Sequence, residues 1–343
     1  MEPSKDQEAR AGMLGTPTSD GYLFPVTYSI LSADALLAEV AHAYPIATPV
    51  SCQLLRRRSN DTYVLTTCGD RDYLVRVYRA RGPTRSEIAY ELELITHLAA
   101  KGVPVSVPIA AYDGALLHPL VAPEGTRHLV LLTYARGTQL SWDKEEHSYL
   151  AGGIAAMVHS ASDDFTSQHA HTCWDLVSLI DTPLAATRPF FGHRREDWSY
   201  LEGLAARLRA RVSAAAKSGL DWGPCHGDLN GGDIFLTEDQ TATVIDFARC
   251  GLGWRSYDLA GIQWVALKQD TNRIWDAFLK GYTEKRGLAT GDLAAVPLFH
   301  AICHLLRLGI LAENTADWGS LLLDNWLLDE ELAFFRKWEL EHF

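Results

Sequence analysis

Hydrophobic and polar positions alternate over several short runs between residues 51 and 134, a pattern typical of half-buried β-strands. These runs occupy 51–58, 62–67, 72–79, 116–122 and 128–134. Two helical patterns accompany them: one begins near Leu31 with Ser32 as its N-cap, and the other covers 86–101. The first part of the chain is therefore predicted to form a small antiparallel sheet that carries one main helix.

Beyond Gly137 the apolar positions recur every three to four residues, so helices are predicted to dominate the rest of the chain. The predicted helices cover 149–160, 198–218, 257–267, 272–286, 293–313 and 320–343. The exception is 234–247, where two short β runs flank the turn residues TEDQ and predict a hairpin. Together these patterns predict an α+β fold with a small β-rich lobe, a connector and a larger helical lobe that holds one hairpin.

Composition sets the boundaries of these regions. Residues 1–21 mix charge with Gly, Pro, Ser and Thr and contain few large apolar side chains, so they are predicted to be a flexible tail. The small lobe is assigned to 22–132, the connector to 133–137 and the helical lobe to 138–343. An apolar fraction of 47% in 343 residues supplies a core for both lobes.

Charge limits the partners of the chain. Lys and Arg total 31 against 43 Asp and Glu, a net charge of −12, so neither a nucleic acid nor an anionic membrane surface is expected as a partner. A cationic small molecule would be attracted, although ordinary solubility explains the same charge. The longest apolar region, 293–311, is interrupted by His300, His304 and Arg307, so no membrane anchor is expected.

The cysteines and the N-terminal residues indicate the cellular compartment of the protein. Six cysteines are scattered without C-x-x-C spacing, and the first residues lack the pattern of a signal peptide. The histidines show no metal-ligand spacing, so a zinc site is not expected. The sequence thus predicts a cytoplasmic protein with reduced thiols.

Three aspartates stand in a defined context within 225–260. Asp228 follows the dipeptide HG in a loop, Asp233 stands at the start of the predicted hairpin, and Asp246 stands where its second strand ends. Closure of the hairpin brings these two strand ends together, so Asp233 and Asp246 are expected to lie close to each other. Adjacent carboxylates suit Mg²⁺, which prefers oxygen ligands and takes the others from water and phosphates. Asp228 is then placed to contact an attacking hydroxyl, as in the kinase template.

The motifs HGDLNGGD (226–233), VIDF (244–247) and SYDLA (256–260) resemble those of the aminoglycoside phosphotransferase and choline-kinase-like superfamily. The resemblance starts at about Leu54 and covers most of the chain, and it is nearest to the branch of homoserine kinase and the bacterial stress-response kinase. It implies a two-lobed protein-kinase-like fold and transfer of the γ-phosphoryl group of ATP, with Mg²⁺, to a hydroxyl. GTP stays open as the donor beside ATP.

In the helical lobe this resemblance assigns Asp228 as the catalytic base or orienting group, and Asp233 and Asp246 as the magnesium ligands. His226 would brace the loop under the metal site. Asp233 stands where the superfamily usually has Asn, which keeps an oxygen ligand and adds a negative charge beside the phosphates. Asp258 has two interpretations, a helix N-cap or a brace of the catalytic loop.

In the small lobe the resemblance places Arg76 where a phosphate-binding Lys is usual, with Glu91 as its ion-pair partner. Helix periodicity favours Glu91 over Glu93, because Glu91 lies near the buried stripe of its helix. The alternative for Arg76 is an exposed strand arginine that pairs with any nearby carboxylate.

The remaining nucleotide contacts are predicted in two loops. The stretch LLTYARG resembles the connector of the superfamily, so main-chain groups of Thr133 and Ala135 would bond the adenine edge. The loop 56–63, with Ser59 and Asn60, lies where a phosphate-covering loop is expected. It contains no glycine, unlike the loops whose backbone cradles phosphates.

The segment between the hairpin and Asp258 bears on the acceptor. Only ARCGLGWRSY separates Phe247 from Asp258, which leaves no room for the long activation segment of regulated protein kinases. A small-molecule hydroxyl is therefore the favoured acceptor, and acidic residues of the helical lobe would suit a cationic antibiotic or amino alcohol. Three alternatives stay open: a protein Ser/Thr kinase of the stress-response type, a catalytically inactive nucleotide-binding module, and a helical protein that binds no nucleotide and carries the motif by coincidence. The oligomeric state stays open.

Overall fold

The computed structural model describes residues 16–18, 21–69, 71–229, 232–268 and 272–343. These residues divide into two compact units, one running to Leu92 and including Ser106–Tyr134, the other comprising Glu93–Val105 and Ala135–Phe343. The first unit is built on an antiparallel sheet and the second is mostly helical, so the predicted α+β class is confirmed. The change of unit after Tyr134 falls inside the predicted connector, 133–137.

The first described residues form a short antiparallel pair, β1 (Thr16–Thr18) and β2 (Gly21–Leu23). This pair lies at the end of the segment predicted as a tail, and its two short strands satisfy each other's backbone groups. Residues 1–15 lie outside the described part of the chain, so the flexible tail itself stays a prediction.

Helix α1 (Ala33–Ala43) starts where the sequence predicts it. The hydroxyl of Ser32 accepts a hydrogen bond from the backbone N–H of Ala35 at 3.4 Å, which satisfies one of the free donors of the first turn. Leu36 and Val40 are buried in the apolar core of the first unit together with side chains of its sheet. The helix thus covers part of the sheet's apolar surface.

The sheet of the first unit has five antiparallel strands in the order β3-β4-β5-β7-β6. The strands are β3 (Pro49–Arg57), β4 (Asn60–Thr67), β5 (Tyr73–Tyr78), β6 (His118–Ala122) and β7 (Gly125–Thr133). Every second residue of β4 is buried, as the alternation in its sequence predicts. The predicted antiparallel sheet is therefore confirmed.

Helix α2 (Arg85–Ala100) begins with a capping box, in which Thr84 and Glu87 exchange hydrogen bonds of 2.7 and 3.2 Å between side chain and backbone. The sequence assigned the whole helix to the small lobe, but its residues from Glu93 onward belong to the second unit. The segment after the helix explains the difference, because the N–H of Val244 donates to the carbonyl of Pro104 at 2.7 Å.

Helices make up most of the second unit. They are α3 (Glu145–Ala161), α4 (Thr182–Thr187), α5 (Arg195–Lys217), α6 (Arg255–Lys268), α7 (Asn272–Thr283), α8 (Thr290–Glu313), α9 (Thr315–Trp318) and α10 (Asn325–His342), with a π-helical turn at Val177–Asp181 and 3₁₀ turns at Arg188–Phe191, Phe247–Arg249 and Ser320–Leu323. The predicted last helix, 320–343, is wrong at its start. Asp324 caps α10 by accepting from the N–H of Leu327 at 2.9 Å, and residues before it form the 3₁₀ turn.

The second unit also contains two three-stranded sheets, where the sequence predicted one hairpin. One sheet comprises β8 (Thr138–Gln139), β11 (Ile234–Leu236) and β12 (Ala242–Val244), and the other comprises β9 (Thr172–Trp174), β10 (Trp222–Cys225) and β13 (Gly251–Trp254). The hairpin β11–β12 is confirmed. Strands β10 and β13 were missed because their Gly and Pro residues are typical of turns, whereas their pairing depends on distant chain segments.

Helix α8 forms the apolar centre of the second unit. Among the described residues it alone is long and apolar enough to cross a membrane, and 72% of its most apolar window is buried inside the structure. His300 and His304, which interrupt its sequence pattern, are themselves buried. Such burial is expected for the core helix of a globular unit.

Candidate active site

The backbone of the HGD loop, which follows β10, is held by the carboxylate of Asp258. Asp258 lies in the first turn of α6 and is 1% exposed. Its Oδ2 accepts from the N–H of His226 at 2.7 Å, and its Oδ1 accepts from the N–H of Gly227 at 2.9 Å. Of the two interpretations of Asp258, the brace of the loop is the one that the structure supports.

Gly227 cannot be replaced by a residue with a side chain without strain. Its φ of +82° lies in the left-handed region, and a Cβ there would collide with the carbonyl oxygen of Arg249. The hydroxyl of Tyr257 donates to the carbonyl of Gly227 at 3.1 Å, while Trp174 Nε1–H donates to the Arg249 carbonyl at 2.9 Å. These contacts hold the backbone of the two residues before Asp228, and the Asp228 side chain is exposed.

His226 joins the HGD loop to the chain that follows β12. Its Nε2–H donates to the carbonyl of Ile245 at 2.9 Å, and its ring centre lies 4.4 Å from that of Phe247. Because Nε2 carries this proton, the tautomer of a neutral ring is set. The contact with the residue before Asp246 agrees with the bracing role assigned to His226.

Asp233 and Asp246 come to the same end of the β11–β12 hairpin. Ile234 pairs with Val244, and the N–H of Ile245 donates to the carbonyl of Asp233 at 2.8 Å, so Asp246 is the next residue along. Asp246 has φ 65° and ψ 54°, a left-handed conformation that is uncommon outside glycine and occurs preferentially at functional sites. Asp233 is 7% exposed, and Asp246 is half-buried.

These two carboxylates fit a magnesium ion. No group of three or more His, Cys, Asp or Glu able to hold a metal occurs in the described ranges. Mg²⁺ does not need such a group, because one or two carboxylates hold it while water and substrate phosphates complete its octahedron. Asp233 and Asp246 supply oxygen ligands, the type that Mg²⁺ prefers.

The ionisation of Asp258 follows from its partners. Burial favours the neutral acid, but the hydrogen bonds that Asp258 accepts from His159 and from the Gly227 N–H outweigh burial and lower the pKa of Asp258. The carboxylate is therefore charged at neutral pH. Its position in the first turn of α6 adds the favourable helix dipole.

Asp228 influences a buried thiol in the core helix. Burial, followed by the charge of Asp228, raises the pKa of Cys303 on α8. The Cys303 side chain is 8% exposed and stays protonated, so it is not a nucleophile of this site.

In the first unit, Arg76 and Glu91 form the predicted ion pair. Arg76 NH1 lies 2.9 Å from Glu91 Oε1, and the two residues are 5% and 3% exposed. The hydroxyl of Tyr78 donates to Glu91 Oε2 at 2.8 Å, and burial raises the pKa of that phenol, so it stays protonated. The alternative of an exposed strand arginine is therefore wrong, and Glu93, with a side chain 46% exposed, is solvated as predicted.

The predicted adenine contacts of Thr133 and Ala135 stay a prediction, and the hydrogen bonds of the two residues differ. The N–H of Thr133 donates to the carbonyl of Val107 at 2.9 Å, and its carbonyl accepts from Ser106 Oγ at 2.5 Å. The Thr133 amide is thus already committed within the first unit. Ala135 makes no main-chain hydrogen bond to another described residue, which leaves it as the better candidate.

Ser59 and Asn60 lie at the turn between β3 and β4. The N–H of Arg58 donates to the carbonyl of Asn60 at 3.2 Å, and Arg79 NH2 donates to the Arg58 carbonyl at 2.5 Å. Ser59 is exposed. The predicted contact of this turn with phosphates stays a prediction.

The fold and the HGD loop define a protein-kinase-like phosphotransferase. The model of the phosphotransferase enzyme family APH matches residues 51–296, and the chain therefore belongs to this family. The resemblance inferred from the motifs is confirmed.

Three known proteins illustrate the relationship. A homoserine kinase of Granulibacter bethesdensis is 26% identical over 85% of this chain and 88% of its own. The structure of a microcompartment-associated aminopropanol kinase, 22% identical, superposes with a TM-score of 0.69 over 89% of this chain and 95% of that chain. An amicoumacin kinase in complex with AMP-PNP, Ca²⁺ and Ami, 18% identical, has a TM-score of 0.70 over 89% and 92%. The two structures establish the likeness in fold.

Proposed function

We propose that the protein is an ATP- and Mg²⁺-dependent kinase that phosphorylates a hydroxyl of a small molecule that also carries an amine, such as an amino alcohol or an antibiotic. The observation that carries this proposal is the HGD loop, whose backbone is held by Asp258 and ends at the exposed Asp228. The paired strand ends with Asp233 and Asp246 belong to the same unit.

Each residue has a role in this reaction. Asp228 orients the acceptor hydroxyl and takes its proton as the new bond from oxygen to the γ-phosphorus forms. The bond from that phosphorus to the β–γ bridging oxygen breaks, and ADP leaves. Asp233 and Asp246 would hold Mg²⁺, which offsets the charge of the phosphates when bound.

In the first unit, Arg76 would interact with nucleotide phosphates, and Glu91, which accepts from its NH1 at 2.9 Å, would hold the guanidinium in one orientation. Ala135 would bond the adenine edge through its main chain, and Ser59 and Asn60 would lie over the phosphates. ATP is the proposed donor, and GTP serves as the comparison in the experiment below.

The acceptor class rests on three observations. Ten residues separate Phe247 from Asp258, too few for a peptide-binding activation segment. The net charge of −12 favours cationic ligands. The related proteins are named for homoserine, aminopropanol and amicoumacin. We place the enzyme in the cytoplasm, where ATP is present and its six free cysteines stay reduced.

A phosphorylation screen tests this proposal. The protein is incubated with Mg-ATP or Mg-GTP and amino alcohols, aminoglycosides, neutral sugars or a protein substrate, and the gain of one phosphoryl group is read by mass spectrometry. We expect amine-bearing alcohols to be phosphorylated by the wild type and not by Asp228→Asn. Phosphate on protein alone would favour the stress-response type of kinase, and nucleotide binding without transfer to any acceptor would favour an inactive module.

A further inference from the structure

Asp258 has a third hydrogen-bond partner, which lies on another helix. His159 of α3 is fully buried, and its Nε2 lies 3.1 Å from Asp258 Oδ2. Its other ring nitrogen, Nδ1, lies 2.9 Å from the hydroxyl of Tyr282 on α7, which is 1% exposed. The three side chains come from three helices and form one buried chain of hydrogen bonds.

The protonation of this chain follows from chemistry. A lone pair on His159 Nε2 would repel the Asp258 carboxylate, so Nε2 carries a proton and donates it. Burial lowers the pKa of His159 despite the opposing effect of Asp258, so the ring is neutral and Nδ1 is an acceptor. The hydroxyl of Tyr282, whose pKa is raised by burial, is the donor to Nδ1.

The packing of α3 against α7 gives this chain a fixed geometry. A Cβ at Gly152 would collide with the carbonyl oxygen of Phe278, and a Cβ at Gly281 would collide with that of Tyr149. The two helix backbones therefore touch without intervening side chains. Such contact leaves His159 and Tyr282 little freedom to separate.

We propose that His159 and Tyr282 are positioning residues for phosphoryl transfer, which hold Asp258, and through it the backbone that presents Asp228, by a chain of uncharged hydrogen-bond donors. This role rests on the proposed function. Asp258 Oδ2 accepts from both the His226 N–H and His159, while Oδ1 accepts from the Gly227 N–H. Loss of the His159 donor lets the carboxylate rotate and moves the two amides that precede Asp228.

Three substitutions at His159 separate this role from mere packing. The amide nitrogen of Gln superimposes on Nε2 and keeps a donor toward Asp258. That of Asn superimposes on Nδ1 and reaches only Tyr282, and Leu keeps neither contact. We expect kcat to stay within about threefold in His159→Gln and to fall roughly tenfold or more in His159→Asn and His159→Leu, with KM for ATP unchanged, because misplaced catalytic groups slow the chemical step.

Tyr282→Phe and Tyr149→Phe form a matched pair, because each removes one phenol hydroxyl. The hydroxyl of Tyr282 on α7 contacts His159 on α3, and the hydroxyl of Tyr149 on α3 contacts the residue that follows α7. Tyr149 contacts the exposed Glu284 rather than His159. We expect a fall in kcat in the first variant and none in the second. Equal kcat values in all five variants, with only their thermal stabilities changed, would overturn the positioning role.

The protonation state is measured without substrate, on full-length protein labelled with ¹⁵N-histidine. The signals of His159 are identified by their loss in His159→Gln. We expect a neutral ring at pH 7.5 with the proton on Nε2, and a proton on Nδ1 or on both nitrogens would contradict the chain of donors. If the wild type phosphorylates no acceptor, the proposed function fails, whereas this spectrum still decides the hydrogen-bond chain.

Discussion

Glu91 in the first unit and Asp258 in the second are both buried carboxylates, but they are stabilised in different ways. Glu91 is paired with the cation Arg76 and accepts from the Tyr78 hydroxyl. Asp258 accepts from two backbone amides and the neutral ring of His159. An ion pair requires the removal of two charges from water, which costs free energy for each of them. Neutral hydrogen-bond donors stabilise a single buried charge without the burial of a second charge.

The partner of Glu91 is charged and the donors to Asp258 are not, and this difference suits the two sites to different roles. The Arg76 side chain is a cation and joins β5 to α2 within the first unit, which agrees with the phosphate contact that we propose for it. The donors around Asp258 carry no net charge, so they position the HGD loop without adding a cation beside Asp228. Variants that remove one partner at a time should therefore affect stability and turnover differently in the two sites.

Replacement of the loop brace should have the largest effect. Asp258→Ala leaves the amides of His226 and Gly227 buried and without their acceptor, so we expect kcat to fall on the order of 100-fold. The free energy of unfolding should fall by about 2–6 kcal/mol, since each of the two orphaned amide donors costs about 1–3 kcal/mol. Turnover and urea unfolding measure the two effects. Asp164→Ala, at an exposed carboxylate, is the control, and equal losses in both variants would contradict the brace.

Removal of one partner of the Arg76–Glu91 ion pair should destabilise the folded protein. Arg76→Met leaves the Glu91 carboxylate buried and without the cation that pairs with it, and we expect a loss of about 3–5 kcal/mol in the free energy of unfolding. The double variant Arg76→Met/Glu91→Leu should recover most of this loss, because no buried charge remains. Denaturant titrations of both variants provide the measurement. A double variant as unstable as the single one would refute the ion-pair account.

Acid should weaken the second site through His159. Its pKa is lowered in the folded protein, so below the ordinary value of 6.5 the unfolded chain binds a proton that the folded chain does not. Stability is therefore lost as the pH falls below that value, while the contribution of Asp258, whose pKa is also lowered, is lost only below 3.8. Between pH 7.5 and 5.5 the wild type should lose about 1 kcal/mol more than His159→Gln in unfolding titrations. Parallel losses would argue against a neutral buried His159.

Glu93→Gln should have the smallest effect. Glu93 stands two residues after Glu91, but its side chain is exposed and contacts Ser167 and His169 at 2.6 and 3.4 Å. We expect a change below about 0.5 kcal/mol in the free energy of unfolding and unchanged turnover. Glu91→Gln is the matched comparison in the same assays, and the interpretation fails if the two substitutions have similar effects.

Features with a local pattern were predictable from the sequence. Strand β4 alternates buried and accessible residues, Ser32 caps α1, and the β11–β12 hairpin follows from its turn residues. Periodicity also selected Glu91 over Glu93. The spacing of the three motif aspartates indicated a loop and a hairpin end, and the structure places them there.

Features that depend on distant partners were not predictable. The Thr133 amide is occupied because Val107 lies beside it, and Val107 gives no sign of this in the sequence. His159 and Tyr282 are 123 residues apart and carry no motif spacing, so only the packing of their helices identifies them as partners. The strands β10 and β13 owe their state to tertiary pairing, which overrides their local preference for turns.

We propose that Asp228 acts on the acceptor while other residues bind the nucleotide. The most direct measurement compares phosphoryl transfer and Mg-ATP binding in the wild type and Asp228→Asn, with one acceptor from the screen and calorimetry for the nucleotide. In Asp228→Asn we expect a loss of transfer on the order of 1,000-fold, with the Kd for Mg-ATP changed by less than about twofold. Full transfer by Asp228→Asn would contradict it.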